Sequence, residues 1–305
     1  MILIGENVHI ISKSVRSALE SRDEIFINNL IEIQKNMDYV DLNIGPARGE
    51  LSGVFEWLVP LVENAGLKIS FDTTNSDEML SGLIGVKNSN DCFINSTSLD
   101  MPKFEVLTNM AVNYGSNLVA LTMSKDTGIP KTSDGRLEIA FEIYEKCIEK
   151  GIDTEKIFFD PLVLPVCADQ PQALESLNTI RMIKESFDPP VKTIIGLSNI
   201  SNGCLNDVRP LINRVYAVLA YGAGLDAVIM DAKDTELVRI FRMLESNKPQ
   251  VEVDNLYLTL AKMSSEFSDF KKIDYDVDNK EQASIVKTVE ILTGQKIYSH
   301  SFTRN

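Results

Sequence analysis

Three polar residues, each directly after a short apolar run, are the best candidates for chemistry in this chain. They are Asp72, Asn95 and Asp160. Two carboxyl groups and an amide offer hydrogen-bond acceptors and one adaptable donor. That set suits the donor-rich edge of a planar heterocycle, such as a 2-amino-4-oxopterin or a guanine, if the fold brings the three side chains together. Taken singly, each could instead be a strand cap that accepts bonds from nearby backbone amides.

The same pattern recurs eight times along the chain. Each apolar run ends in an acid, an amide or a hydroxyl, and the runs are residues 2–5, 39–42, 67–71, 92–94, 118–121, 157–159, 193–197 and 226–230. Helical periodicity lies between them, at residues 22–35, 55–62, 76–84, 103–114, 136–150, 172–187, 210–221 and 235–244. This alternation predicts an α/β fold with parallel strands, and eight units predict a (β/α)8 TIM barrel. Such a barrel collects its strand ends into one active site.

The length of the chain fits one domain. A total of 305 residues exceeds the size of a typical barrel, about 250 residues, by the length of one insertion. Residues 247–282 interrupt the last helical pattern with Pro249 and a cluster of acids, and helical periodicity resumes over residues 283–292. We therefore predict a single domain over residues 1–305, with residues 247–282 as a peripheral insertion in the last helical layer.

The charge and the cysteines exclude several classes of protein. The chain carries 44 acidic and 30 basic residues, a net charge of −14, which argues against binding to nucleic acid or to an anionic membrane surface. The four cysteines form no C-x-x-C pair, which argues against a closed zinc site. Because the first residues are already strand-like and carry no signal-peptide pattern, we expect a cytoplasmic protein with free thiols.

Histidine is nearly absent. Only His9 and His300 occur, so a catalytic metal site with two histidine ligands is disfavoured and we expect no bound metal. His9 follows the first strand and could face the site, although a lone loop histidine is usually just solvated.

The loop after the seventh strand, residues 196–203, is rich in asparagine and serine. It contains Asn199 and offers no lysine or arginine before Arg209. Such a loop provides hydrogen bonds to an uncharged group and argues against a phosphorylated substrate. The simpler interpretation is an Asn/Ser turn without a ligand.

The polar strand ends belong to an ordered set of motifs. The set includes Ile4-Gly5-Glu6, Asp41-Leu42-Asn43-Ile44-Gly45-Pro46, Asp72-Thr73-Thr74-Asn75, Ile94-Asn95-Ser96-Thr97, Asp160-Pro161-Leu162, Gly196-Leu197-Ser198-Asn199 and Arg209-Pro210-Leu211-Ile212-Asn213-Arg214. In this order the chain resembles the methyltetrahydrofolate:corrinoid protein methyltransferases, a pterin-binding family related to the folate domain of cobalamin-dependent methionine synthase. The resemblance covers residues 1–245 and resumes near residues 288–302.

The resemblance implies a barrel that binds 5-methyltetrahydrofolate at its mouth. A separate corrinoid protein would present the cobalt, and the methyl group would pass between N5 of the folate and that metal. Asp72, Asn95 and Asp160 would hold the pterin, and Asn199 would donate a hydrogen bond to N5. The resemblance also implies a homodimer. We assign six further residues to the substrate site: Glu6, Asp41, Asn43, Ser198, Asn202 and Arg209.

The chemistry of N5 agrees with this assignment. A tertiary amine is a poor leaving group, so N5 must gain a proton or a strong hydrogen bond as the carbon–nitrogen bond breaks. An amide such as that of Asn199 cannot donate a proton outright, so the proton would come through water or through the acidic residues. No protein nucleophile is needed, because the cofactor carries the difficult step.

Three departures from the family pattern lie near the site. The family usually has Arg-x-Asn after the glutamate of the first strand, where this chain has Asn7-Val8-His9. It commonly has a glutamine where this chain has Asn202, and the loop from Asn202 to Arg209 is slightly longer.

Two other functions fit the same fold. A dihydropteroate synthase-like enzyme would need basic residues in its late loops, whereas the eighth strand ends in Met230-Asp231-Ala232. A module that binds folate or a corrinoid protein without turnover would not need Asn199 together with both pterin-site aspartates. The sequence leaves the direction of methyl transfer open.

Overall fold

A closed barrel of eight parallel strands forms the centre of the molecule. The computed structural model describes residues 1–302, and the strands follow one another around the barrel in chain order. They are β1 (Ile2–His9), β2 (Tyr39–Gly45), β3 (Lys68–Thr73), β4 (Phe93–Leu99), β5 (Asn117–Ser124), β6 (Ile157–Asp160), β7 (Lys192–Gly196) and β8 (Ala227–Met230). The predicted TIM barrel is confirmed.

Helices surround this barrel. They are α1 (Lys13–Ser21), α2 (Glu24–Ile33), α3 (Val54–Asn64), α4 (Ser76–Gly85), α5 (Met101–Tyr114), α6 (Ser133–Glu149), α7 (Pro171–Ser186), α8 (Arg209–Gly222), α9 (Thr235–Ser246), α10 (Asp254–Ser265) and α11 (Lys280–Leu292). The predicted helix over residues 22–35 corresponds to α2, and the sequence pattern missed α1. Arg22 ends α1 with a φ of 55°, and the Asp23 side chain then caps α2 by accepting a bond from the Phe26 N–H at 3.0 Å.

Apolar side chains fill the lower part of the barrel interior. Tyr39, Phe93 and Phe158 pack edge to face there, with ring centroids 4.9 and 4.7 Å apart. Four smaller buried residues complete the same cluster, namely Ile4, Val119, Ile194 and Ala227. This apolar floor lies beneath the ends of the strands.

Polar side chains line the next layer of the barrel interior, closer to the C-terminal ends of several strands. Side chains on a strand alternate between its two faces, so the residue two positions after a floor residue also points inward. Asp41 follows Tyr39 in this way, Asn95 follows Phe93 and Asp160 follows Phe158. The strand register aligns these polar positions: Asn43 pairs with Asp72, and Asp72 pairs with Asn95.

Helix α8 is buried on nearly all sides, since every residue from 215 to 220 is buried. On one side, α8 shares a buried apolar cluster with Leu3, Ile195 and Val228 of the barrel. On the other side, α10 and α11 cover it. The Ser264 hydroxyl of α10 donates to the Leu219 carbonyl of α8 at 2.7 Å. The segment 247–282 therefore contains a packed helix, α10, that forms a second layer over α8.

Replacement of Gly222 by alanine tests whether α10 is part of the folding unit. An added methyl group at Gly222 would lie 2.1 Å from the Ala261 carbonyl oxygen of α10. We expect Gly222→Ala to lower the free energy of unfolding by about 1–3 kcal/mol, because overpacking forces the two helices apart. Urea unfolding measures this change.

Gly85→Ala is the matched control, because a methyl group there meets no atom within 4 Å. Its stability should stay within about 0.5 kcal/mol of wild type or rise slightly. Equal stability of the two variants would mean that α10 does not press on α8 as described.

Candidate functional site

A cavity of about 210 Å³ opens above the apolar floor at the C-terminal ends of the strands. It is lined by Glu6, His9, Asp41, Asn43, Asp72, Asn95, Asp160, Gly196, Asn199 and Ile229. A wider cavity of about 570 Å³ adjoins it, shares Glu6, His9 and Asn199 with it, and adds Ser198, Asn202 and Arg209. All ten residues that the sequence assigned to the site therefore line one of two connected cavities, while their roles in binding stay predictions.

Asp41 lies deepest in the cavity wall and is only 2% exposed. Its Oδ1 accepts a bond from the Ser70 hydroxyl at 2.6 Å and another from Nδ2 of Asn95 at 3.2 Å. Burial raises its pKa well above the ordinary range, and the neighbouring carboxyl group of Asp72 raises it further. Asp41 therefore tends to hold a proton.

Asp72 is the partner of Asp41 in this acidic pair. Burial raises the pKa of Asp72 to about 6, while the hydrogen bonds from Asn43 and Asp41 oppose that shift. Two carboxyl groups so close together share protons, because a second buried negative charge is costly. Asp72 is thus the member of the pair that ionises first, and it can offer a charged acceptor to a ligand.

Asp160 stands alone on the opposite wall. Its Oδ1 accepts the Leu162 N–H at 2.7 Å, in a turn where Leu162 adopts the left-handed φ of 63°. Burial raises the pKa of Asp160 to about 6, and the bond from Leu162 and the charge of Arg136 oppose the shift. The second carboxylate oxygen, Oδ2, has no bond recorded among residues 1–302 and can accept one from a ligand.

Asn199 lies at the rim, on the loop between β7 and α8. Its Oδ1 accepts a long bond of 3.4 Å from Nδ2 of Asn202. Its Nδ2 lies over Gly196, where a methyl group would come within 3.1 Å of that nitrogen. Glycine at position 196 therefore leaves room for the amide donor at the cavity wall.

Glu6 joins the two cavities. The Ser198 hydroxyl donates to its Oε1, although the two residues are 192 positions apart in the chain. Burial raises the pKa of Glu6 to about 7; the bond from Ser198 lowers it, and the charge of Asp231 raises it. Near neutral pH this side chain can both take up and release a proton.

A family model for pterin-binding enzymes matches residues 36–231, more than half of the chain. The chain belongs to the pterin-binding enzyme family.

Curated relatives of this pterin-binding enzyme include methyltransferases, which confirms the resemblance noted from its motifs. It is 25% identical over 242 residues to a methylcorrinoid:tetrahydrofolate methyltransferase of Eubacterium limosum, covering 78% of this chain and 88% of the relative. It is 28% identical over 226 residues to a methionine synthase of Mycobacterium tuberculosis. That match covers 71% of this chain but only 17% of the synthase.

Solved structures share the fold of this pterin-binding enzyme at low identity. A dihydropteroate synthase of Yersinia pestis superimposes with a TM-score of 0.53 at 16% identity, over 80% of this chain and 93% of that one. A dihydropteroate synthase of Anaplasma phagocytophilum, with bound 6-hydroxymethylpterin-monophosphate, gives 0.54 at 16% identity, over 80% and 98%. These likenesses establish the barrel architecture.

One residue near the site, Lys103, was not found from the sequence, and a second, His9, was noted there without a role. Lys103, in the first turn of α5, lies near enough to Asp72 for the carboxylate to raise its pKa against the larger, lowering effect of burial. Position alone signals it, since the first turn of a helix after a barrel strand faces the mouth. His9 also lines the cavity, where burial lowers its pKa. Its Nδ1 accepts the Ile11 N–H at 3.2 Å, so the neutral ring carries its proton on Nε2.

The departure at Asn7 has a clear structural role. Its Nδ2 donates to Asp231 Oδ1 at 2.6 Å, and its Oδ1 accepts the Ala232 N–H at 2.9 Å. Asn7 therefore fastens the end of β1 to the end of β8, where the barrel closes.

Residues 1–302 show neither a metal-binding cluster nor a membrane-spanning helix. They contain no group of three or more His, Cys, Asp or Glu side chains arranged to hold a metal ion. Within the same range, no helix has both the length and the apolar character needed to cross a membrane.

The raised pKa of Asp160 predicts a pH-dependent cost in stability. The folded state favours the protonated Asp160 carboxyl group. The contribution of this group to stability is therefore fully present below its unfolded pKa, near 4, and is lost as the pH rises through its folded pKa of about 6. Asp160→Asn removes this cost. Without ligand, we expect the variant to be more stable than wild type at pH 8 by about 1–2 kcal/mol, with a smaller difference at pH 5.

Thermal unfolding at the two pH values measures this effect. Asp169→Asn is the control, because it removes an exposed acid from the same loop and should behave like wild type at both pH values. A stability gap that stayed constant between pH 5 and pH 8 would contradict the buried, raised-pKa carboxyl group.

Proposed function

We propose that this protein transfers a methyl group between N5 of 5-methyltetrahydrofolate and the cobalt of a corrinoid carried by a partner protein. The observation that carries the proposal is the small cavity in which Asp72, Asn95 and Asp160 face one another with Asn199 at the rim. Membership of the pterin-binding family and the two methyltransferase relatives support it. On the resemblance alone we also propose a homodimer.

The donor set of the cavity fits a pterin. A 2-amino-4-oxopterin presents several N–H groups along one edge, and Asp72 and Asp160 offer carboxylate oxygens to accept them. Asn95 already donates to Asp41 through Nδ2, so its carbonyl oxygen adds one more acceptor. A pterin that gives hydrogen bonds to both carboxylates stabilises their ionised forms and lowers their pKa values on binding.

Asn199 acts on the reacting nitrogen. Its Nδ2 group donates a hydrogen bond to N5, and this bond strengthens as the methyl group leaves and negative charge builds on the nitrogen. The corrinoid, when bound, supplies the metal centre that takes or gives the methyl group. The residues of this chain hold the folate, orient its methyl group outward and keep water from the pterin edge.

Glu6 is the member of the acidic network best suited to move the proton. It lines the same cavity as Asn199, and its pKa of about 7 matches the pH at which proton exchange is most effective. The proton reaches N5 from this carboxyl group through water, since the amide of Asn199 has none to give.

Dihydropteroate synthase chemistry is the weaker candidate. It requires a site for a pyrophosphate leaving group, and the cavity of about 440 Å³ beside the mouth carries Glu6, Asp231 and Asp234 in its lining. Arg214 in that cavity is held by two bonds from its Nε and one from its NH2 group to Asp234. Arg209 and Lys233 also line that cavity, so three carboxyl groups face three basic side chains there. Such a balanced lining lacks the excess of positive charge that favours binding of a pyrophosphate.

One spectroscopic experiment tests the proposed reaction. Purified protein is mixed with 5-methyltetrahydrofolate and reduced free cobalamin, and the spectrum is followed. Conversion of cob(I)alamin to methylcobalamin at a protein-dependent rate supports methyl transfer. If the protein binds the folate but the spectrum does not change, the protein is a binding module without methyl transfer. If the protein does not bind the folate at all, the proposed pterin site is refuted.

Asp160→Asn should weaken 5-methyltetrahydrofolate binding while leaving the chemistry of the bound state largely intact. Loss of a charged acceptor opposite the pterin edge costs roughly 1–3 kcal/mol, about fivefold to 150-fold in Kd. Calorimetric titration of the folate measures the affinity, and Asp169→Asn, an exposed acid in the same loop, should bind like wild type. Wild-type affinity in Asp160→Asn would refute the assignment.

Asn199→Ala should slow methyl transfer by about a hundredfold or more, because it removes a donor that acts mainly in the transition state. The exposed side chain contributes little to folding, so stability should hardly change. Single-turnover measurements with saturating folate and cob(I)alamin report the rate of the chemical step.

Asn206→Ala provides the control for Asn199→Ala, since it is an exposed asparagine in the same loop and should transfer methyl at the wild-type rate. A rate for Asn199→Ala within about threefold of wild type, far from the loss expected for such a donor, would make Asn199 a turn residue only.

A further inference from the structure

Two cysteines lie together where two loops of the barrel mouth touch. Cys167 belongs to the loop between β6 and α7, and Cys204 to the loop between β7 and α8. The Cys167 thiol donates to the Asn202 carbonyl oxygen at 3.0 Å. A methyl group built on Gly203 would lie 3.0 Å from the Cys167 sulfur, and Gly203 immediately precedes Cys204.

The backbone holds these two loops in register. The Val166 N–H donates to the Ile200 carbonyl oxygen at 2.9 Å, one residue before Cys167 and one residue after Asn199. The two cysteines thus lie in a short, ordered seam between the loops. One of these loops follows Asp160, and the other carries Asn199.

The two thiols differ in access. Cys204 is buried; burial raises its pKa, the Tyr298 hydroxyl opposes that shift, and the neighbouring Cys167 thiol adds to it. Cys167 is partly exposed, so an oxidant in solution reaches it first. The other two cysteines, Cys92 and Cys147, are buried with pKa values raised by burial to about 12, which makes them unreactive.

We propose that Cys167 and Cys204 form a reversible disulfide that ties the two mouth loops together and weakens folate binding. With hydrogen peroxide as the oxidant, the Cys167 thiolate attacks one oxygen, the O–O bond breaks, and a sulfenic acid and water form. The Cys204 sulfur then attacks the sulfenic sulfur, the S–O bond breaks, and a second water leaves. The two thiols lose two electrons and two protons in total, and peroxide is reduced to two waters.

The effect on the site follows from the geometry of the bond. A disulfide holds its sulfur atoms about 2 Å apart, much closer than any non-bonded contact of two sulfurs. The loops must approach each other, and the Asn202 carbonyl loses the thiol that donates to it. A misplacement of about 1 Å can lower the rate of a catalysed reaction by about a hundredfold, and we expect a smaller but measurable loss of folate affinity. This consequence rests on the proposed folate site, whereas disulfide formation does not.

Mass spectrometry tests the disulfide itself. Reduced protein is treated with hydrogen peroxide, alkylated under denaturing conditions and digested. We expect the intact mass, measured before alkylation, to fall by that of two hydrogens. After digestion we expect a peptide linking Cys167 to Cys204, and dithiothreitol should reverse both changes. Cys92 and Cys147 should stay free and serve as internal references. A Cys167 oxidised to a sulfinic acid beside a free Cys204, or a different linkage, would overturn the proposal.

Folate titration tests the consequence for binding. Oxidised wild type should bind 5-methyltetrahydrofolate about fivefold more weakly or worse, a coupling of ordinary size between two sites, and dithiothreitol should restore the affinity. Cys167→Ser and Cys204→Ser should keep their affinity after peroxide. Unchanged folate affinity in fully disulfide-bonded wild type would refute the proposed effect of the disulfide on binding.

The two proposals fail separately. Reduced protein that does not bind the folate would refute the proposed function, and the mass spectrum would still decide whether the disulfide forms.

Discussion

The constraint on which the site depends is the burial of carboxyl groups directly above an apolar barrel floor. The rings of Phe93 and Phe158 lie in the floor beneath the acids and exclude water on that side, so solvation cannot stabilise the carboxylate charges. An isolated buried carboxylate would be too costly to keep. Hydrogen bonds to Asp41 and Asp72 offset part of this cost, and the raised pKa values of both residues reduce the charge that is buried. The acids are thus kept partly protonated in the absence of a ligand, and in the proposed function the N–H groups of the pterin would stabilise their ionised forms.

This cost explains why the acids lie on strands. A strand in a closed barrel is fixed by neighbours on both edges and cannot turn a side chain out to solvent. Asn43, Asp72 and Asn95 are paired in register across three strands, so none can move without breaking the sheet. Asn199, by contrast, lies on a loop and is exposed. In the proposed reaction, ligand affinity would depend on the rigid wall, and the reacting nitrogen would meet a group on a more adaptable element.

Much of this arrangement could be predicted from the sequence. Apolar runs ending in Asp72, Asn95 and Asp160 indicated a barrel and its mouth, because strand ends of a parallel barrel converge. The alternation in Tyr39-Val40-Asp41-Leu42-Asn43 also carries the change from floor to wall, since residues 39, 41 and 43 share one face. Local pattern was sufficient wherever the strand itself set the direction of the side chain.

Contacts between distant parts of the chain could not be predicted. The bond from Ser198 to Glu6 joins residues 192 positions apart, and nothing in either motif specifies the partner. Helix α10 looked like an insertion because its role, to cover α8, depends on a face of α8 that the sequence shows only as a continuous apolar run. Helix α1 was missed in the sequence because its apolar residues are few and because α2 follows it after a sharp turn at Arg22.

The contacts that close the barrel also complete the wall of the site. Asn7 and Glu6 on β1 bind Asp231 after β8 and Ser198 after β7, so the first strand of the chain completes a wall built by the last ones. The wide cavity that holds Ser198, Asn202 and Arg209 is also lined by Glu6, Asn7 and Asp231, which form this seam. Helix α8 follows that loop directly, and α10 and α11 hold α8 in place. The outer helices thus support the loop that carries Asn199, although they lie far from the cavity.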